Sequence, residues 1–173
     1  VLVVRSLLAS GANANQTYPH VRSTALMAAC GNGHVGVASL LLRAGADVNR
    51  GRDGFRPLGV ACALGHSLVV RLLLRQDGLD VNRPGKKGFT PFWTACDFGH
   101  PAVVELMLQR EDLDANAEDD NGLTPLLAAC VKGEEAHHEV VALLLRHEGV
   151  DVNRALPDGR TPLYIACAKG DRT

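Results

Sequence analysis

No stretch of this chain approaches the roughly 18 consecutive apolar residues that a membrane-spanning helix requires, and none of its cysteines forms a Cys-x-x-Cys pair. Net charge is nearly absent as well, at -1 over 173 residues. The first absence speaks against a membrane-spanning helix. The second, with the five cysteines being an odd number, speaks against a disulfide framework or a zinc knuckle. The third argues against a nucleic-acid partner, because the basic run is short and is followed at once by acid. The opening VLVVRSLLAS lacks a basic leader and is too short and mixed to read as a signal peptide. Free thiols then fit a reducing, intracellular compartment, the cytoplasm, and on the same ground the glycosylation-like triplet Asn15-Gln16-Thr17 is discounted. What is present is 46% apolar side chains, enough for one well-buried core and unlike the composition of a disordered chain.

The string TPFWTACDFGH at 90–100 sets Cys96 four residues ahead of His100, a helical spacing that would put a thiol and an imidazole on one face. The same string returns as TALMAACGNGH at 24–34, RPLGVACALGH at 56–66, TPLLAACVKGE at 124–134 and TPLYIACAKGD at 161–171. The cysteine therefore belongs to a repeat. Its threonine position falls at Thr24, Arg56, Thr90, Thr124 and Thr161, with spacings of 32, 34, 34 and 37 residues, within the range of a solenoid. Threonine followed by proline reads as an N-cap hydroxyl ahead of a first-turn proline, and Gly33, Gly65, Gly99, Gly133 and Gly170 read as helix terminators. A second helix follows, with Val37, Leu40 and Leu41, then Val69, Leu72 and Leu73, at the i, i+3, i+4 spacing of a buried face. Beyond it lie ADVN or LDVN and the turn pairs Asp53-Gly54, Asn121-Gly122 and Asp158-Gly159.

These residues resemble the ankyrin repeats, whose pattern runs D-G-x-T-P-L-H-x-A-A-x-x-G-H, then V-V-x-L-L-L and G-A-D-V-N. The resemblance covers essentially the whole chain and implies an all-α solenoid with a helix-turn-helix plus a β-hairpin in each repeat. On this reading 1–173 is a single domain, with a partial repeat at 1–15, full repeats at 16–49, 50–82, 83–116 and 117–153, and a partial repeat at 154–173. Val1, Leu2, Val3, Val4, Leu7 and Leu8 are expected to form a bare apolar face, as in a piece of a longer protein. The histidine that the family places after T-P-L, where it ties neighbouring repeats, is replaced by Met27, Gly59, Trp93, Leu127 and Tyr164, so that tie is not expected here. Arg56 in place of a capping threonine and Gly59 inside a helix make the second full repeat the expected soft point, at near 1 kcal/mol each. KGEEAHHEVV carries three more residues than its siblings and is expected to lengthen a helix-to-helix turn, with His137 and His138 in solvated loop.

Three Cys-x-x-x-His pairs supply two ligands each where zinc wants four, and Gly31-Asn32-Gly33-His34-Val35-Gly36 satisfies G-x-G-x-x-G without the preceding strand of a dinucleotide site. No catalytic residue, cofactor or metal is expected, and the chain is read as a non-enzyme. The family resemblance implies instead that hairpin tips and the outward side of the first helices grip a partner protein, or another domain of the parent chain. Carried over by position, the candidate contacts are Phe55, Phe89 and Leu123 before the capping position, and Leu64, Phe98 and Val131 near the helix ends. Phe55 and Phe89 could equally pack against adjacent hairpins, and Trp93 at the family's histidine position is read as half-buried. Arg52, Lys86 and Asp119 join the candidates on charge: basic residues cluster on the first two hairpin tips and Glu111, Asp112, Glu118, Asp119 and Asp120 crowd the next. A binding scaffold is the leading reading, with a targeting or regulatory domain of a larger enzyme as the alternative. The resemblance also implies that Asn49, Asn82, Asn116 and Asn153, each eight places after a leucine, are sites an oxygenase could hydroxylate.

Overall fold

The computed structural model describes residues 1–18, 23–51 and 54–170. Arg52 and Asp53 lie outside the described residues. The remainder is a succession of paired helices. Capping explains where the first helix of each pair starts: the hydroxyls of Thr24, Thr90, Thr124 and Thr161 accept hydrogen bonds from the backbone N–H three residues on, opening α2 (Ala25–Gly31), α6 (Pro91–Asp97), α8 (Pro125–Lys132) and α10 (Pro162–Lys169). Arg56 offers no such oxygen, and α4 (Pro57–Ala63) begins without a side-chain cap. The second helices are α1 (Leu2–Ala9), α3 (Val35–Arg43), α5 (Ser67–Leu73), α7 (Pro101–Leu108) and α9 (Glu135–Leu145).

Each helix packs on its counterpart in the next unit, α2 on α4, α4 on α6, α6 on α8 and α8 on α10, with α1, α3, α5, α7 and α9 stacked behind as a second layer. Between the layers lies one continuous core, in which Leu26, Leu58, Phe92 and Leu126 hold the same place in successive first helices and Val69, Val103 and Val140 in the second. Burial of each such side chain stabilises by about 1.5–3 kcal/mol. Leu163, at that place in α10, is exposed, as no described second helix follows to cover it. At the other end Val1, Leu2, Val3 and Leu7 are exposed as the sequence suggests, while Val4 and Leu8 lie against the core.

Only one hairpin among the described residues carries a strand pair, β1 (Thr17–Tyr18) with β2 (Ser23–Thr24), antiparallel with Thr17 opposite Thr24. At the later tips a backbone bond spans each turn, Gly85 N to Phe89 O at 2.8 Å, Asp119 N to Leu123 O at 3.0 Å and Leu156 N to Arg160 O at 2.9 Å, with a second bond over a shorter span inside it. The expected hairpins are present there as tight turns too short to register as strands. Gly54 is required where two of them stack, since at φ +86° a Cβ would stand 2.3 Å from Lys86 N.

Two ladders of polar side chains run along the stack, and they tie the units through residues other than those at the family's histidine position. His66 Nε2 lies 3.0 Å from Gly31 O, His100 Nε2 3.0 Å from Ala63 O and His137 Nε2 2.9 Å from Asp97 O, so each imidazole N–H donates to the end of the preceding unit's first helix. The His100 ring passes so close to Gly65 that a Cβ there would meet it at 2.8 Å. The second ladder is made of asparagines. Asn49 donates from Nδ2 to Gly78 O and accepts at Oδ1 from Asp80 N; Asn15, Asn82 and Asn116 do the same to Gly45 and Asp47, Asp112 and Asp114, and Gly149 and Asp151.

The three additional residues also behave differently from the sequence expectation. Glu134 takes the N-cap place and Glu135 begins α9, which runs 11 residues where α5 runs 7. Glu and Ala are good helix formers, and the insert becomes an extra turn of helix instead of a longer loop. His137 is accordingly not solvated: it is 3% exposed and occupies the ladder place that His100 holds one unit earlier.

Candidate functional site

Phe55 and Phe89 sit on adjacent hairpin tips, Leu64 and Phe98 follow the ends of α4 and α6, and between them runs a groove of about 530 Å³. Small residues of the two helices, Gly59 and Ala63 of α4 and Thr94 of α6, are among those that line it. Phe55, Leu64 and Phe98 are 57%, 53% and 56% exposed, an unusual concentration of large apolar surface. Phe89 is half-buried and stacks on Trp93 with ring centroids 4.2 Å apart and planes 7° from parallel. The two alternatives left open by the sequence thus divide between the residues: Phe55 projects, Phe89 packs on one side and lines the groove with the other.

Among the described residues that line the groove, four are cationic, Arg56, Arg83, Lys86 and Lys87, and one is a carboxylate, Asp80. Lys86 Nζ lies 5.8 Å from the centroid of the Phe55 ring. Arg56 donates to Pro84 O at 3.1 Å, and partial burial, with the positive charge of Arg83 nearby, holds its guanidinium below the usual range. Lys87 has φ 59° and ψ 26°, a left-handed conformation that a non-glycine residue adopts at some strain, and it sits at this rim.

Phe55, Leu64, Lys86, Phe89 and Phe98 are therefore brought together. Trp93, Asp119, Leu123 and Val131 are not. Trp93 is 4% exposed and its indole N–H donates to Leu123 O at 2.8 Å, so the residue in the family's histidine place performs an inter-repeat tie and has little surface to offer a partner. Asp119 is buried and accepts from Asn121 N and Leu123 N, which shapes its own turn. Val131 packs with Leu127, Leu156 and Ile165. Between the groove and the next unit, Asp97 meets Lys132 at 3.5 Å, which interrupts the apolar stripe expected from sequence. Arg52 lies outside the described residues.

The acidic half of the expected charge contrast is largely engaged within the chain. Asp112 takes a bidentate grip from Arg110 at 2.8 and 2.9 Å, and that hydrogen bonding holds its carboxyl below the usual range. Glu118 pairs with Arg154 at 2.6 Å. The Cys-x-x-x-His pairs divide as well. Cys30, Cys62 and Cys96 point into the core, where burial pushes the Cys30 thiol up to about 12 and raises the other two well above the usual thiol range, while His66 and His100 turn outward to the preceding unit. Sequence reasoning missed Gly59 and Thr94 as groove residues, while Arg83 belongs to the basic cluster it placed on the hairpin tips. The signal available was Gly59 itself, small where every sibling unit carries a bulky side chain.

Residues 2–85, 52–117 and 92–173 each match the family described as ankyrin repeats (3 copies). Among solved structures, that of EF0377, an ankyrin repeat protein, is similar at 25% identity, with a TM-score of 0.88 over 96% of this chain and 85% of that one. No curated protein matches.

Proposed function

The chain belongs to the ankyrin-repeat family, whose members are in general non-catalytic protein-protein interaction modules, and from that premise we propose that it binds a segment of another protein in the groove between Phe55, Leu64, Phe89 and Phe98. The observation that carries the reading is the placement of three large apolar side chains, each more than half exposed, around one groove. Aromatic anchors in such settings supply most of the energy at protein interfaces. No helix among the described residues is long and apolar enough to cross a membrane.

The test uses exposed positions so that folding is not at stake. Peptides selected on the wild-type chain from a random displayed library should lose binding to the double variant Leu64→Glu, Phe98→Glu, while its circular dichroism and melting temperature stay at the wild-type values. Equal binding to both proteins would remove the groove as the contact surface. Phe89 is a poorer choice for the experiment, since a charge placed there would also break the stack on Trp93.

A further inference from the structure

At the third helical position after the capping residue, the units carry Met27, Gly59, Trp93, Leu127 and Tyr164. Met27, Trp93 and Leu127 are 6%, 4% and 0% exposed, so in three inner units this place is filled by a large side chain that the fold buries. At Gly59 it is empty. A Cβ built there meets nothing within 4 Å, its backbone needs no left-handed conformation, and the space opens into the groove between Phe55 and Phe89. Glycine within a helix is unfavourable by about 1 kcal/mol against alanine, and neither a close approach nor a turn explains it here. The stack thus has a core-like position whose side chain is missing and whose opening faces outward.

Resting on the groove reading above, we propose that the partner is an acidic peptide segment that inserts one bulky apolar side chain into the place Gly59 leaves vacant, with flanking carboxylates against Arg56, Arg83, Lys86 and Lys87. The occupant then completes the unit as Leu127 and Trp93 complete theirs. The volume, about 530 Å³, lies within the range of roughly 300–1,000 Å³ typical of binding pockets, and an apolar floor with few convergent charged groups is the usual division between affinity and orientation. Among the described lining residues, four cations against one carboxylate give the rim a positive potential that draws negative segments and repels basic ones. The pKa of Arg56 is lowered by burial and then by the charge of Arg83, and Asp80 offsets this only in part, so an incoming carboxylate adds to that offset as well as forming a contact. An uncharged apolar peptide would gain the pocket but not the rim.

The experiment separates this inference from the broader one. Peptides enriched on the wild-type chain from a random displayed library are sequenced, synthesised with a fluorescent label and titrated by anisotropy against wild type, Gly59→Leu, Gly59→Ala and Leu64→Glu, Phe98→Glu. The expected set is acidic with one recurrent Leu, Met, Phe or Trp, and Gly59→Leu should weaken it by at least about tenfold, as loss of a buried anchor does. Gly59→Leu should at the same time raise the melting temperature, because it fills the vacancy from within and removes a helical glycine. Weaker binding with a higher melting temperature cannot come from a misfolded variant. If Leu64→Glu, Phe98→Glu abolishes binding and Gly59→Leu leaves it unchanged, the groove stands and the vacancy has no role. Enrichment of basic or uncharged peptides, or of none, overturns the proposal.

Discussion

Asn82 joins two units with a single side-chain amide, donating to Asp112 O at 2.6 Å and accepting from Asp114 N at 2.9 Å. Truncation removes both bonds, so Asn82→Ala should destabilise by about 1–3 kcal/mol, visible as a lower urea midpoint. Asn82→Asp should recover little, because it sets a carboxylate oxygen against the Asp112 carbonyl. The buried thiols make a second prediction at this scale. Their folded pKa values lie above the unfolded value, so their contribution to stability is complete below about pH 8.5 and falls as pH rises beyond it. Between pH 8.5 and 10 each such cysteine should subtract about 1.5 kcal/mol. Urea titrations at the two pH values should show this loss, and Cys62→Ala should reduce it by one thiol's share. The caps and terminators were legible in sequence because Thr24, Thr90, Thr124 and Thr161 act within three residues of themselves. The work of Trp93 and the asparagines was not, since each acts on a residue about 30 positions away that only stacking brings near.

Among the elements, α9 shows how a helix absorbs added length. Deleting Glu134, Glu135 and Ala136 would return His137 to the place after Gly133 that His100 holds after Gly99. The shortened protein should remain folded, lose roughly a turn of helical ellipticity and keep its stability within about 1 kcal/mol, since exposed residues carry little of the core energy. His137→Ala should cost more, about 1–3 kcal/mol, because Asp97 O loses its donor and the buried ring leaves a void. The insert was misread because a count of residues between landmarks says nothing about whether they are helical, although Glu-Glu-Ala is helix-forming. At α4 the reading was sounder. The helix lacks a cap, as Arg56 implied, and Arg56→Thr should stabilise it by about 1 kcal/mol, measurable as slower amide exchange from Leu58 to Ala61.

For the whole molecule, stability is close to a sum over neighbours, so opening should begin at the ends, where α1 and α10 each have one side uncovered. Hydrogen exchange should be fastest in those helices and slowest in α6 and α7, whose Phe92, Val103 and Met107 are fully enclosed. Uniform protection from α1 to α10 would mean that the stack opens as one unit. The overall architecture was legible because a repeated string states it several times over. The groove was legible only in part: exposed Phe55, Leu64 and Phe98 follow from position, but the opening between them arises from a side chain that is missing, and absence has no periodicity.

The stack of Phe89 on Trp93 has a practical side. The chain has one tryptophan, it sits near the middle of the sequence, and the ring pressed against it forms part of the groove wall. Ultraviolet emission excited at wavelengths too long for Tyr18 and Tyr164 to absorb therefore originates at a single known point, one aromatic layer beneath the surface where a guest would settle. A spectroscopist needs no attached dye to follow occupancy or local opening there, because the molecule already glows from that spot.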